Sequence, residues 1–284
     1  RRQRQMCIRD RYLGTAAAEG WPALFCSCPI CTKARAEGGK NLRTRTQAIV
    51  DGELLLDFPP DTYCHALRWN LELARVRTLL VTHSHMDHWF PTDLIHRHEH
   101  FAHGATGALE VYGNQAVKDA FDAHILVDRF KPHPIGDVVL FHVIHGGDRI
   151  QSNGWDITAV PADHDKREEC LVYICKKNGK TFFYGHDTGI PLSDQAWELI
   201  SAQHYDLISL DATMGKKTIG GYHMGLPDVE KMLDKLTALG CVDDHTVKVI
   251  NHFSHNGEMT HDELTRWGAQ RGILASYDGM EVEF

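Results

Sequence analysis

The sequence lacks an apolar run long enough to cross a bilayer. Such a span needs about 20 consecutive apolar residues, and polar or charged side chains interrupt every run of this chain well before that length. A signal-peptide pattern of charged, apolar and then small residues is also missing. We therefore expect a cytoplasmic protein that does not bind a membrane.

An excess of positive charge is also absent. The chain has 30 Lys and Arg against 38 Asp and Glu, a formal net charge of -8. Nucleic acid binding draws on a basic surface that displaces counterions, so we expect no nucleic acid partner. A small anionic substrate is still compatible with this negative charge, because bound metal cations reverse the sign of the local field. The 20 histidines favour a metalloprotein, since histidine is the commonest metal ligand.

Internal repeats, low-complexity tracts and linkers are missing as well. Residues 1–11 have no initiator Met and no usable periodicity. We expect them to be a non-native extension and residues 12–284 to form a single domain, with a first strand from about Tyr12. The eight cysteines form only one close group, and a reducing cytoplasm disfavours disulfides.

What is present is an alternation of apolar β-rich runs with helical stretches, which predicts an α/β fold. The predicted strands span 47–57 (a hairpin turning at Asp51-Gly52), 78–82, 109–112, 157–160, 170–175 with 181–184 (a second hairpin around Asn178-Gly179), 207–210 and 247–250. Helices are predicted over 194–203 after the N-cap Ser193, over 227–239, and after the capping box of Thr260 and Glu263.

The segment from Thr82 to His88 contains the strongest signal. His83, His85, Asp87 and His88 are four ligating groups within six residues, directly after a buried strand. Zinc and similar metals accept imidazole nitrogen and carboxylate oxygen together. The alternative, a polar surface loop that happens to be rich in histidine, is disfavoured by this density of ligating groups.

Single candidate ligands follow three later strands, namely His164, Asp187 and His252. Because strands of one sheet deliver their ends to a common rim, we expect these side chains to converge with the first group. The open alternatives are Asp163 and Asp165 in place of His164, and His255 in place of His252. His186 is expected not to be a ligand.

The His-x-His-x-Asp-His motif with later single His, Asp and His ligands resembles the metallo-β-lactamase superfamily. The resemblance implies an αββα sandwich, two packed mixed β-sheets flanked by helices. It also implies a first metal ion on His83, His85 and His164, a second on Asp87, His88 and His252, and Asp187 as the bridge. Asp57 corresponds to an aspartate that orients a ligand histidine from behind, although Pro59 stands where the family usually has Gly.

Cys26, Cys28 and Cys31 form a C-x-C-x-x-C group that could supply most of a tetrahedral zinc shell. Together with Asn251-His-Phe-Ser-His255, it narrows the resemblance to cyclic phosphodiesterases of the carbon–phosphorus lyase pathway. The resemblance then implies a structural zinc with His255 as the fourth ligand. The alternative is a redox-active or merely buried cysteine group.

The resemblance also implies a mechanism. Two divalent ions (Zn, Mn or Fe) about 3.5–4 Å apart would activate a bridging hydroxide, with Asp87 and Asp187 as carboxylate ligands. His223, in the segment Gly220-Gly-Tyr-His-Met-Gly225, would protonate the leaving oxygen. The alternative for His223 is an ordinary loop histidine.

The expected function is a phosphodiesterase that acts on a small phosphate ester, cyclic esters included. The alternatives are a lactam or thioester hydrolase, a tRNA 3′-end nuclease, and a non-hydrolytic protein resembling the cofactor-biosynthesis member of the pyrroloquinoline quinone pathway. The nuclease is disfavoured because it carries a basic arm that this sequence does not show. The sequence leaves open the substrate, the leaving group, the catalytic metals and the oligomeric state, a homodimer included.

Overall fold

The computed structural model describes residues 7–105, 107–127 and 135–284. Its strands, in chain order, are β1 (Arg9–Gly14), β2 (Gln47–Val50), β3 (Leu54–Leu56), β4 (Thr78–Leu80), β5 (Leu109–Gly113), β6 (Val139–Val143), β7 (Arg149–Ser152), β8 (Trp155–Pro161), β9 (Leu171–Lys177), β10 (Lys180–Gly185), β11 (Leu207–Asp211), β12 (Val247–Asn251), β13 (Ile273–Ala275) and β14 (Met280–Glu283). The α-helices are α1 (Pro29–Glu37), α2 (Thr62–Trp69), α3 (Gln115–Val127), α4 (Asp194–Ser201), α5 (Leu226–Ala238) and α6 (His261–Ala269).

The strands form two mixed seven-stranded sheets. The first has the order β14-β1-β2-β3-β4-β5-β6 and the second the order β13-β12-β11-β10-β9-β8-β7. In the second sheet β10, β11 and β12 run parallel, and β8 runs in the same direction because it is antiparallel to β9, which is antiparallel to β10. The carboxyl ends of these four strands therefore share one edge.

Alternating side chains divide the core into layers, since successive residues of a strand point to opposite faces. Leu80 and Phe182 belong to the buried cluster between the sheets. Their neighbours Leu79 and Phe183 belong to two outer clusters, which also contain residues of the flanking helices such as Phe121. The arrangement is the predicted αββα sandwich.

Both predicted hairpins are confirmed. Asp51 and Gly52 have φ angles of 51° and 69°, and Asn178 and Gly179 have φ angles of 54° and 77°, as tight turns between antiparallel strands require. The helix predictions after Ser193 and Thr260 are also confirmed, the latter with its capping box. The strands β6, β7, β13 and β14 were not predicted. All four are partly exposed, and β7, β13 and β14 have only three or four residues.

The first strand begins at Arg9, earlier than the predicted start near Tyr12. Arg9 pairs with Glu283, and Asp10 pairs with both Val50 and Val282. Ile8 is buried between the sheets. That residues 1–11 are not native stays a prediction. Within the residues described, no helix is both long and apolar enough to span a membrane.

Candidate metal centre

The candidate ligands meet at one edge of the sandwich. His83 follows β4 of the first sheet, whereas His164, Asp187 and His252 follow β8, β10 and β12 of the second. The prediction that strands of one sheet would deliver all of them was therefore wrong. Two sheets packed face to face bring their strand ends close enough for both to contribute.

One group consists of His83, His85 and His164, whose ligating atoms lie within 4.8 Å of one another. The His83 ring centre is 4.4 Å from that of His85 and 4.8 Å from that of His164. Nε2 of His164 is 3.4 Å from Nδ1 of His85. Three imidazole nitrogens are thus turned toward one point.

A second group consists of Asp87, His88, Asp187 and His252, all buried. Nε2 of His88 lies 3.2 Å from Oδ2 of Asp87 and 2.6 Å from Oδ2 of Asp187. The same Oδ2 of Asp187 lies 3.6 Å from Nε2 of His83. Asp187 therefore stands between the two groups, where a bridging carboxylate would have to lie.

Each candidate histidine ligand is held through its outer ring nitrogen. The partners are the Thr82 hydroxyl for His83 (3.0 Å), Asp165 for His85 (2.8 Å), Asp57 for His88 (2.8 Å), the Tyr222 carbonyl for His164 (3.0 Å) and the Thr213 hydroxyl for His252 (2.7 Å). Such partners fix the orientation and tautomer of metal-binding imidazoles. Asp57 lies as the resemblance implied, while the contacts of Asp165 and Thr213 were not predicted.

Four of the inner atoms, in contrast, have no hydrogen-bond partner among the described residues. They are Nε2 of His83, His88 and His252 and Oδ1 of Asp187. Oδ1 of Asp187 lies 3.1 Å from Nδ1 of both His223 and His252, at angles that make no hydrogen bond. Buried polar atoms are nearly always paired, and a divalent cation would satisfy this set. The residues therefore fit a pair of metal ions.

The electrostatics of His83 and Asp187 agree with this fit. Burial lowers the pKa of His83 well below its ordinary value, so its imidazole is neutral and able to ligate. Burial by itself raises the pKa of Asp187, but the nearby His252 and His88 outweigh it and hold the pKa well below its usual range. Asp187 is therefore an anion, as a ligand to cations must be. At His88, burial is outweighed by Asp87, Asp57 and Asp187, which raise its pKa well above the ordinary value, so His88 must release a proton when a cation binds.

His223 lies beside this centre. Its Nδ1 is 3.3 Å from Oδ2 of Asp211, and its ring centre is 4.9 Å from that of His164. Burial lowers the pKa of His223, but Asp211 and Asp187 together raise it to about 11. The prediction did not include Asp211. Asp211 ends β11, and the sequence analysis identified Asp187 from the same kind of position, at the end of a strand.

Asp211 is fully buried and holds several parts of the site. Its carboxylate accepts hydrogen bonds from the backbone N–H groups of Asp187, Thr213 and Met224, each at 3.0 Å. His186 has a different environment. Its Nε2 lies 2.7 Å from Ser209 Oγ and its Nδ1 lies 3.2 Å from Asn251 Nδ2, so both ring nitrogens have partners away from the centre.

The cysteine group assembles with His255. The sulfur atoms of Cys26 and Cys28 each lie 3.5 Å from Nδ1 of His255, and the four ligating atoms, with Cys31, lie within 4.8 Å of one another. Hydrogen bonding with His255 lowers the pKa of Cys28 to about 6, which favours the thiolate that binds metals. His252 and His255 are thus divided between the two sites.

Comparisons with known proteins agree with this architecture. A family model described as a beta-lactamase superfamily domain matches residues 54–253. Coenzyme PQQ synthesis protein B of Methylobacterium radiotolerans is 30% identical over 157 residues, covering 48% of this chain and 52% of that protein. The match thus spans about half the length of that curated relative.

Three solved structures share the fold. A diphosphatase of the PhnP family has a TM-score of 0.77 at 23% identity and covers 98% of both chains. Zinc-bound PqqB from Methylobacterium extorquens has a TM-score of 0.73 at 19% identity, covering 97% of this chain and all of the other. Human short-form tRNase Z has a TM-score of 0.62 at 16% identity over 96% and 98% of the two chains.

The family match extends over well over half of the chain, and the two seven-stranded sheets with their flanking helices agree with it. This chain therefore belongs to the metallo-β-lactamase superfamily, whose fold implies divalent metal ions at this edge of the sandwich.

Proposed function

We propose that the chain is a metal-dependent phosphodiesterase that cleaves a small phosphate ester, cyclic esters included. The observation that carries the proposal is the complete double ligand set, with Asp187 lying between its two halves. A single-ion protein would not need Asp87, His88 and His252 as a second buried ligand group. Nε2 of both of these histidines has no hydrogen-bond partner among the described residues.

In this proposal His83, His85 and His164 hold one ion, and Asp87, His88 and His252 hold the other, with Asp187 shared. When bound, two divalent ions lower the pKa of water to near neutral and neutralise charge on the transferred phosphoryl group. The thiolates of Cys26, Cys28 and Cys31 with His255 hold a structural zinc.

His223 is proposed to protonate the leaving oxygen. Asp211 and Asp187 approach its Nδ1, which leaves Nε2 as the nitrogen that donates to an ester oxygen. An alkoxide leaving group is a strong base, so a proton supplied at that oxygen lowers the barrier. Asp211 acts through His223 and is a positioning residue.

The phosphate class is favoured over lactams and thioesters for two reasons. A diester anion is complementary to two cations beside the protonated His223, whereas a neutral amide gains less from that field. The fold likeness to a diphosphatase of the PhnP family supports the same class. The expected absence of nucleic acid and membrane partners, the cytoplasmic location and the open question of a homodimer stay predictions.

The test is an assay of purified protein whose metal content has been measured. The panel contains cyclic phosphates, linear diesters, a diphosphate ester, a precursor tRNA, a thioester and a β-lactam. We expect turnover of one of the small phosphate esters, abolished by chelation and restored by zinc or manganese. Activity confined to the thioester and the lactam would reject the phosphate class and leave the metal centre intact.

One observation favours a second function. The 30% identity to coenzyme PQQ synthesis protein B over 157 residues is higher than the identity to the diphosphatase structure. A role in cofactor synthesis without ester hydrolysis would leave every ester of the panel unchanged at full metal loading. That result, together with binding of a quinone precursor, would replace the phosphodiesterase proposal.

A further inference from the structure

Tyr222 has a backbone conformation that its side chain disfavours. Its φ angle is 60°, in the left-handed region where a bulky residue is uncommon. The conformation turns the Tyr222 carbonyl toward Nδ1 of His164, which donates a hydrogen bond to it over 3.0 Å. The neighbouring chain is also close, because a Cβ on Gly189 would lie 2.6 Å from the Tyr222 nitrogen. The backbone at this position is therefore constrained by its contact with His164 and by the close approach of Gly189.

Glycine would adopt this conformation without strain, as Gly220 and Gly221 do immediately before it, with φ angles of 67° and 81°. The tyrosine side chain contributes little to the stability of the fold. It is 51% exposed, and its hydroxyl has no hydrogen-bond partner among the residues that the structure describes. Strain retained at a functional site without a folding benefit points to a functional role.

The position of Tyr222 indicates what that role is. Its carbonyl holds a candidate metal ligand, and the next residue is His223, whose ring centre is 4.9 Å from that of His164. The exposed tyrosine side chain is therefore attached to a backbone segment that borders the centre. Met86, between the ligands His85 and Asp87, is 64% exposed and adds a second apolar side chain to the ligand loops.

We infer that Tyr222 is a specificity residue, whose ring packs against an aromatic or heteroaromatic group that the substrate carries beside its phosphate. The inference rests on the proposed function, whose substrate class it narrows. Tyrosine suits this task because its large planar face loses little conformational freedom on binding. Stacking of one base or ring on an aromatic side chain typically changes affinity by about tenfold or more.

The binding test uses the metal-loaded protein with phenylphosphonate and methylphosphonate, measured by calorimetry. The unaltered protein is expected to prefer phenylphosphonate. Tyr222→Gly keeps the backbone conformation and should weaken phenylphosphonate by about tenfold, with less than a twofold change for methylphosphonate. Tyr222→Phe restores the ring and should recover most of that loss. Tyr63→Ala, at another exposed tyrosine, which lies on α2, is the control.

A second readout separates function from stability. Because glycine relieves the strain, the melting temperature of Tyr222→Gly is expected not to fall. A lower melting temperature with equal losses for both phosphonates would mean a structural role and overturn the inference, as would a lack of ring preference in the unaltered protein.

Turnover distinguishes the inference from the proposed function. A nucleoside 2′,3′-cyclic phosphate is compared with the same ribose cyclic phosphate carrying a methoxy group in place of the base. Tyr222→Gly should lower kcat/KM for the first alone, mainly through KM. Ring-dependent phosphonate binding without turnover of any ester would reject the phosphodiesterase and retain the aromatic contact. Turnover that depends neither on the base nor on Tyr222 would reject the aromatic contact and retain the phosphodiesterase.

Discussion

Oδ2 of Asp57 lies 2.8 Å from Nδ1 of His88, and both side chains are completely buried. Asp57 also accepts hydrogen bonds from the backbone N–H and the hydroxyl of Thr82, each at 2.9 Å. A carboxylate at the end of β3 thus holds both the start of the ligand loop and one of its histidines. Asp57 therefore positions part of the centre without itself being a candidate ligand.

Asp57→Asn is expected to lower the metal affinity of the centre by about 10–100-fold, because the amide orients His88 less strongly and makes its Nε2 less basic. Competition with a fluorescent chelator measures the affinity. Asp156→Asn, at an exposed position on β8, is the control. An affinity for metal equal to that of the unaltered protein would show that Asp57 has no part in holding the ligand.

Asp187→Asn should have a larger effect than the change at Asp57, since it removes the carboxylate that stands between the two ligand groups. We expect loss of at least one of the two catalytic ions by elemental analysis and a fall in turnover of more than about 100-fold. The zinc of the cysteine site should remain. Full occupancy of both catalytic sites in this variant would contradict a bridging role.

His223→Ala tests the proton donor. With metal content held constant, kcat should fall by about 10²–10⁴-fold for an ester with an alkoxide leaving group. The loss should be much smaller for p-nitrophenolate, which leaves without a proton. Unchanged turnover of the alkyl ester, or equal losses for both leaving groups, would remove His223 from the mechanism.

Cys28→Ser tests the structural site. Removal of one thiolate opens the tetrahedral shell, so we expect one zinc equivalent fewer per chain and a lower melting temperature. Cys64→Ser is the matched control, because Cys64 is exposed and lies outside the group. A variant that keeps all its zinc would show that the cysteines form a redox or packing group instead.

The environment of His261 predicts that the free energy of unfolding depends on pH. Its Nδ1 accepts a hydrogen bond from Arg43 over 3.1 Å, and burial with the nearby Arg43 lowers the pKa of His261 from 6.5 to about 4. Between these two values the unfolded chain binds a proton that the folded chain does not. The contribution of His261 to the free energy of unfolding is therefore most favourable above pH 6.5. It decreases as the pH falls toward 4, by up to about 1.4 kcal/mol for each pH unit.

Urea unfolding between pH 4 and 7 measures this contribution as the difference between the unaltered protein and His261→Gln. Glutamine can still accept from Arg43 but cannot titrate, so its stability should fall less steeply toward acid. Parallel curves for the two proteins would contradict the assignment.

The amino-acid sequence by itself determined the features that depend on neighbouring residues. His83, His85, Asp87 and His88 lie within six residues, and the three cysteines also lie within six, so their spacing already indicates metal ligation. The hairpin at Asp51-Gly52 and the capping box of Thr260 are local in the same sense. Such features need only the geometry of a few consecutive residues.

The convergence of His164, Asp187 and His252 was expected from the strand ends, but only the tertiary structure decided how the distant segments meet. It placed β4 in one sheet and β8, β10 and β12 in the other, and so assembled the centre between two sheets rather than along one. It also selected the partners that hold the ligands, such as Asp165 for His85 and Asp211 for His223. These contacts depend on how two sheets pack, and no periodicity along the chain encodes the distance between residues 80 positions apart.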